Sequence, residues 1–181
     1  MKDIIKLKLR EGLEKNVTKI AVFDFDGTLI DTALPDTGKD VWRERTGQEW
    51  PHKGWWGKVD SLSDVFDNTP IESTIEAYKR EKSSPNTLVI MMTGRIRSLG
   101  NRVEEILRDN GLVFDRYIYN EGGSTLEYKL KSLEELLIEF PSVKIIEMWD
   151  DRIEHVDDFR KWGDMKDDVH VVVNHVVSNH H

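Results

Sequence analysis

Two kinds of apolar pattern alternate along this chain. The runs at 20–23, 87–92 and 143–149 are short, nearly continuous and rich in β-branched and aromatic residues, so they predict strands covered on both faces. A further short strand is predicted within 114–119, and a last one at 168–173. Between them, apolar residues recur at helical spacing. Helices are predicted near 38–46, over 70–82 with Pro70 in the first turn, over 96–109 ending at Asn110-Gly111, from about 125 to Phe140-Pro141, and from after Arg152 to about Trp162 with a turn at Gly163. Residues 1–15 place Ile4, Ile5, Leu9 and Leu13 near helical spacing, which predicts an amphipathic helix packed on the outside. Strands alternating with helices define an α/β fold with a mostly parallel, doubly wound sheet.

The three strongest strands each end in polar residues: Asp24 and Asp26 with Gly27 and Thr28; Thr93-Gly94-Arg95; and Asp150-Asp151-Arg152. In an open parallel sheet those ends share one edge, the edge at which ligands bind. Carboxylates converging there repel one another unless a cation or a shared proton compensates. Two acidic strand ends therefore suit an oxygen-ligand site for magnesium. Beside them Thr93 can supply a hydroxyl and Lys129 or Lys131 a cation. Taken alone, Thr93 reads equally well as a helix cap. Arg95 and Arg152 either grip phosphate or sugar oxygens bidentately or pair with a neighbouring aspartate.

The stretch from 33 to 66 breaks the alternation. It holds Trp42, Trp50, Trp55 and Trp56 among Pro51, Gly54 and Gly57, with poor periodicity beyond the first helix. It is too short for a large helical cap and reads as a small lid. The tryptophans either pack that lid or present a ring on which a nucleobase stacks, with Trp55 and Trp56, flanked by the two glycines, as the candidate substrate contacts.

Composition narrows the rest. At 181 residues the chain fits one domain with a sizeable core. It contains no cysteine, so disulfides and thiolate metal sites are excluded. A net charge of -8 argues against an extended nucleic-acid footprint, but not against a nucleotide or the end of a strand. No apolar run reaches the length of a membrane span and no signal-peptide core is present, and the absence of cysteine makes the cytoplasm the expected compartment. Nothing points to an obligate protein partner, and His180 and His181 are assigned no function.

The segment DFDGTL at 24–29 resembles motif I of the haloacid dehalogenase (HAD) superfamily, and the order of features resembles that superfamily from Lys19 to Asp151. Thr93 resembles motif II, Lys129 the lysine of motif III, and Asp150-Asp151 motif IV, where either aspartate could reach the metal. TGR at 93–95, TLEYK at 125–129, DDR at 150–152 with His155 and Phe159, and the tryptophan segment are similar to Swiss Army Knife RNA-repair-like HAD domains. The TGR and DDR pieces are also similar to the phosphatase half of phage polynucleotide kinase, which removes 3′-phosphates from nucleic-acid ends. The resemblance implies a HAD-like Rossmannoid three-layer sandwich with a minimal lid. It also implies a magnesium-dependent phosphomonoesterase: Asp24 as nucleophile, Asp26 as general acid and base, and Asp24, the Asp26 carbonyl and Asp150 or Asp151 on the ion. Gly94, Arg95 and Arg152 would contact substrate, which would be a nucleotide or a phosphorylated nucleic-acid end. The alternatives are a small-metabolite phosphatase and an inactive HAD domain that only binds a phosphorylated partner.

Overall fold

The computed structural model describes Ile4 and residues 16–180; the amphipathic helix predicted over 1–15 lies outside the described residues. In chain order the elements are β1 (Lys19–Phe23), β2 (Ile30–Asp31), α1 (Pro35–Thr46), β3 (Thr69–Pro70), α2 (Glu72–Lys82), β4 (Thr87–Ile96), α3 (Gly100–Asp109), β5 (Arg116–Asn120), α4 (Thr125–Glu139), β6 (Ile145–Asp150), α5 (Ile153–Asp164) and β7 (His170–His175). Short 3-10 turns occupy Val59–Leu62 and Arg97–Leu99.

The five predicted extended segments form one sheet in the order β5-β4-β1-β6-β7, and every pairing in it is parallel. Strand β1 lies in the middle, with β4 on one side and β6 on the other, so the direction of strand addition reverses at β1. That reversal opens a crevice beyond its carboxyl end. Period-two alternation sends Ala21 and Phe23 to one face and Ile20 and Val22 to the other. On the first face Ile75 and Tyr78 of α2 and Val103 and Leu107 of α3 complete the core; on the second, Leu133 and Leu136 of α4 and Val156, Phe159 and Trp162 of α5 do. Helices on both faces make the three layers of the predicted α/β sandwich. Directly beneath the crevice the rings of Phe23 and Trp149 stack, with centroids 4.3 Å apart.

Three boundaries depart from the pattern. The helix predicted to open at Pro70 starts at Glu72, because Thr69 and Pro70 pair antiparallel with Asp31 and Ile30 and the Ile71 amide donates to the Leu29 carbonyl at 2.9 Å. Tertiary pairing here overrides the preference of proline for a first helical turn. Strand β4 does not stop at Met92 but runs to Ile96, and its register against β5 shifts between Met92 and Ile96, so Thr93-Gly94-Arg95 occupy an irregularity rather than a helix start. Helix α5 passes through Gly163, where a Cβ would lie 2.5 Å from that of Val171; glycine lets the helix settle onto β7. The β2/β3 ribbon clasps the two ends of the segment that carries α1 and the tryptophans.

Candidate active site

Beyond the carboxyl ends of β1, β4 and β6 lies a cavity of about 400 Å³, lined by Asp24, Asp26, Leu34, Trp56, Gly94, Arg95, Thr125, Lys129, Asp151, Arg152, His155 and His180. Two ionic groups make up its floor.

The first is a carboxylate cluster. Asp24, Asp150 and Asp151 are all buried, and each offers an oxygen within 4.8 Å of the others. Lys129, only 3% exposed, reaches Asp24 Oδ1 at 3.0 Å and Asp150 Oδ2 at 2.9 Å. The second Asp150 oxygen accepts from the Arg152 amide at 3.0 Å. The Thr28 hydroxyl sits 3.4 Å from both Asp24 Oδ2 and Asp151 Oδ1. Burial raises the Asp24 carboxyl well above the usual carboxylate range; Lys129 opposes the rise, and the charges of Asp150, Asp151 and Asp26 add to it. Burial and the Asp150 charge push Asp151 up to about 6. Against burial, Asp150 and Asp24 hold the Lys129 ammonium above its ordinary value. Three carboxylates thus face one lysine, a buried excess of negative charge. Gly27 makes this crowding feasible. It adopts a positive φ of 68°, and a Cβ there would lie 2.5 Å from Asp151 Oδ2.

The second group is a closed clamp. Arg95 donates from Nε to Asp26 Oδ2 at 2.9 Å and from Nη2 to Asp26 Oδ1 at 2.7 Å. Its Nη1 donates to the Trp56 carbonyl and the Ser61 hydroxyl, both at 2.7 Å, and the Trp56 ring lies 5.0 Å from the guanidinium carbon. Thr32 adds a hydroxyl donor to Asp26 Oδ1 at 2.7 Å. Burial alone would raise the Asp26 carboxyl, but the charge and hydrogen bonds of Arg95 and the Thr32 hydroxyl hold it below its ordinary value. Asp26 is a committed carboxylate, outside the acidic cluster.

The predicted residues therefore separate. Asp24, Asp26, Gly94, Arg95, Lys129, Asp151, Arg152 and Trp56 line one cavity, with Asp150 just beneath through Lys129. Lys129 is the buried lysine, whereas Lys131 is 72% exposed beside Glu135. Of the two readings of Arg95, the ion pair with an aspartate is the one seen. Arg152 is exposed, and its guanidinium makes no hydrogen bond or ion pair to a described residue. Thr93 is buried, and its hydroxyl accepts from the Arg95 amide at 3.1 Å. It caps no helix, since α3 begins only at Gly100. Trp55 does not line the cavity. It is 5% exposed, its indole donates to the Ala33 carbonyl at 3.1 Å, and its ring packs on Trp50 and Phe66. Trp56, 44% exposed, faces the mouth.

Thr32, Ser61 and His180 also stand at the site. His180 packs beside Gly27, its Nε2 2.6 Å from the Thr32 carbonyl and its Nδ1 4.0 Å from Asp151 Oδ2. No periodicity or motif announces any of the three.

Comparisons with known proteins agree with this architecture. A chain of the Pnkp1/Rnl/Hen1 RNA repair complex superposes over 90% of this chain and 43% of its own length, with a TM-score of 0.58 and 18% identity. The HAD domain of the effector protein Lem4 from Legionella pneumophila superposes over 93% of this chain and 90% of its own, with a TM-score of 0.53 and 13% identity. At such identities the likeness is one of fold. An uncharacterized protein of Saccharomyces cerevisiae, YMR265C, is 22% identical in an alignment 175 residues long that covers 82% of this chain and 38% of that protein. The chain thus spans less than half the length of that yeast relative and of the RNA repair chain. Among the described residues no helix is long and apolar enough to cross a membrane. Residues 45–180 match the profile of one family, and by that match the chain belongs to HAD domain family 1 of the Swiss Army Knife RNA repair proteins.

Proposed function

We propose that the chain is a magnesium-dependent phosphomonoesterase that works through a phosphoaspartate on Asp24. The observation that carries this reading is the buried charge imbalance of Asp24, Asp150 and Asp151 against Lys129. Gathering three buried carboxylates at one point is costly, and a hard divalent cation is the partner that oxygen ligands without sulfur or nitrogen select. Asp24 and Asp151 would hold the ion from their cavity-lining side chains, with the Asp26 carbonyl as a further ligand. Asp150, whose two oxygens are engaged by Lys129 and the Arg152 amide, would hold the surrounding shell. When bound, the ion would supply charge neutralisation between the phosphate dianion and the carboxylates.

In the first half-reaction an Asp24 carboxylate oxygen attacks phosphorus and the bond to the leaving oxygen breaks, while Lys129 offsets charge on the transferring group. Asp26 delivers a proton to that oxygen. Since Arg95 keeps Asp26 ionised in the free protein, the proton must be taken up as the dianion arrives and raises the proton affinity of Asp26. Asp26 is then the base that removes a proton from water, which attacks phosphorus and releases inorganic phosphate and Asp24.

The segment 33–66 acts as a small lid in this reading, tied to the site through Arg95, which bonds Asp26 and two lid groups at once. Exposed Trp56 is the lid residue that would meet a base, while Trp55 anchors the lid. This favours a nucleotide or a phosphorylated nucleic-acid end, as does membership of a family of RNA repair proteins. Hydrolysis of p-nitrophenyl phosphate with and without magnesium tests the activity, and a panel of nucleotides and 3′- or 5′-phosphorylated oligonucleotides tests the substrate class. Magnesium-dependent turnover with preference for the nucleotide panel is expected. No turnover of any phosphomonoester with magnesium would leave a phosphate-binding domain.

A further inference from the structure

We infer that the segment following β7 belongs to the candidate site, and that His180 is a positioning residue which holds Asp26 through Thr32. The inference rests on the reading of Asp26 as general acid only for the use made of that position.

Beyond β7 the chain runs back across the crevice. The Val176 amide donates to the Asp150 carbonyl at 2.9 Å, His175 Nε2 lies 3.0 Å from the Asp151 carbonyl, and the Asn179 side-chain amide donates to Asp31 Oδ2 at 3.0 Å. The segment thus bridges the end of β6 and strand β2. His180 seats against the turn between β1 and β2, where a Cβ on Gly27 would lie 2.7 Å from its Cγ. The absent side chain of Gly27 therefore makes room for two neighbours, Asp151 and His180. The His180 side chain is 3% exposed, it lines the cavity, and its ring stands 6.3 Å from that of Trp56, so this segment and the lid meet there.

Hydrogen-bond polarity gives the contact a direction. His180 Nε2 lies 2.6 Å from the Thr32 carbonyl, which only accepts, so Nε2 carries the ring proton. The Thr32 hydroxyl donates to Asp26 Oδ1 at 2.7 Å, and its oxygen is 3.5 Å from the same Nε2. Each donor points toward the carboxylate: imidazole to Thr32, and Thr32 to Asp26.

The consequence for Asp26 is specific. Oδ1 accepts from both Thr32 and Arg95 Nη2, which occupies its two lone pairs. Oδ2 accepts only from Arg95 Nε among the described residues. Oδ2 is therefore the oxygen with a lone pair left to face a leaving group. Arg95 alone binds the two oxygens alike. Thr32 distinguishes them, and His180 holds Thr32 in place.

The test compares turnover of phenyl phosphate and p-nitrophenyl phosphate with magnesium. The two esters are similar in size, but the leaving oxygen of phenyl phosphate is the more basic and feels a misplaced acid more. In His180→Ala, kcat for phenyl phosphate should fall about tenfold further than kcat for p-nitrophenyl phosphate. His180→Gln, which keeps a donor for the Thr32 carbonyl, should recover most of that difference. Thr32→Val, which removes only the hydroxyl, should show the same selective loss, and it carries the test if His180→Ala misfolds. In an Asp26→Asn background, His180→Ala should leave the ratio of the two rates where it is, because the residues act as one unit. Equal losses on both esters, no recovery in His180→Gln, or a further change of the ratio without Asp26 would overturn the inference and leave the phosphomonoesterase reading standing. If the parent protein turns over neither ester, that reading fails, and nitrogen-15 spectra of the imidazole, assigned with His180→Gln, decide the relay. A His180 ring protonated on Nε2, with signals that move in Asp26→Asn, would uphold it. Protonation on Nδ1 alone, or signals that Asp26→Asn leaves in place, would overturn it.

Discussion

Strand β1 has an ionic network at each end, partly buried at its start and buried past its finish, and the two differ in how charge is balanced. At its start, Lys19 Nζ lies between Glu81 Oε1 at 3.0 Å and Glu147 Oε1 at 2.9 Å, Arg80 stands 3.5 Å from Glu81, and Asn174 donates to Glu147 at 2.9 Å. Charges there balance. The hydrogen bonds from Lys19 and Asn174 overcome burial and hold Glu147 below its ordinary value, while Glu147 and Glu81 hold Lys19 above its own. Just past the other end, three carboxylates share one lysine, and Asp24 and Asp151 are pushed upward. The balanced end is a clamp that joins β1, α2, β6 and β7. The other end carries more carboxylates than described cations, and in the proposed reading a divalent cation offsets that excess. Perturbation in the unfavourable direction singles out the second end as the candidate site.

The sharpest break of this contrast is Asp24→Asn. It removes the proposed nucleophile, so turnover of p-nitrophenyl phosphate should fall by about four orders of magnitude or more. The same change relieves repulsion, so the metal-free variant should melt higher than the metal-free parent protein, as read by differential scanning calorimetry. Residual activity within about tenfold of the parent would remove Asp24 from its role.

Chelation comes next. Exhaustive removal of divalent ions should abolish turnover. Magnesium at about 100 times its dissociation constant should stabilise the protein by about 2.7 kcal/mol, seen as a rise in melting temperature that Asp24→Asn largely loses. An equal rise in both proteins would place the ion elsewhere.

At the balanced end the expected effect is smaller and of a different kind. Glu147→Gln weakens the hydrogen bonds of Lys19 and should cost about 1–3 kcal/mol of stability, measured by urea denaturation, with the activity per folded molecule kept. A loss of turnover without a loss of stability would erase the distinction between the two ends.

The smallest effect is the dependence of stability on pH. Asp151, raised to about 6, contributes stability that is present at low pH and lost as pH rises through about 6. Glu147, lowered, contributes stability that is present above the usual carboxylate range and lost as pH falls through it. The metal-free protein should therefore melt highest in mildly acid solution and lose several degrees toward neutral pH. Magnesium should flatten the upper limb, since the ion competes with protons for the same carboxylates. A metal-free melting temperature that rises from mildly acid to neutral pH would contradict the assignment.

Much of this architecture is legible in the sequence because it is written in burial patterns. The continuous runs at β1, β4 and β6 disclose a parallel sheet, and the polar residues that end them disclose the crevice. The choice between Lys129 and Lys131 was also readable, though spacing alone leaves both open. Lys129, Ser132, Leu133 and Leu136 form one buried stripe of α4, and Lys131 lies off it. What escapes is set by tertiary pairing. Pro70 looks like a helix start until β2 captures it. Arg95 has two chemically equal readings, and only the approach of Asp26 and the lid selects one. Trp55 and Trp56 are neighbours in a loop without periodicity, so nothing in the pattern distinguishes the anchor from the exposed ring. Thr32 and His180 reach the site through loop and tail paths that leave no local signature.

The central claim is that phosphate passes through Asp24. Brief incubation with a phosphomonoester and magnesium, followed by borohydride, would reduce an acyl phosphate at that side chain and convert the aspartate to homoserine, located by peptide mass spectrometry. Homoserine at position 24, dependent on substrate and absent when Asp26 is replaced by a residue that blocks turnover before the first transfer, is the predicted result. Magnesium-dependent turnover with no homoserine at position 24, or with the label on another carboxylate, would contradict it.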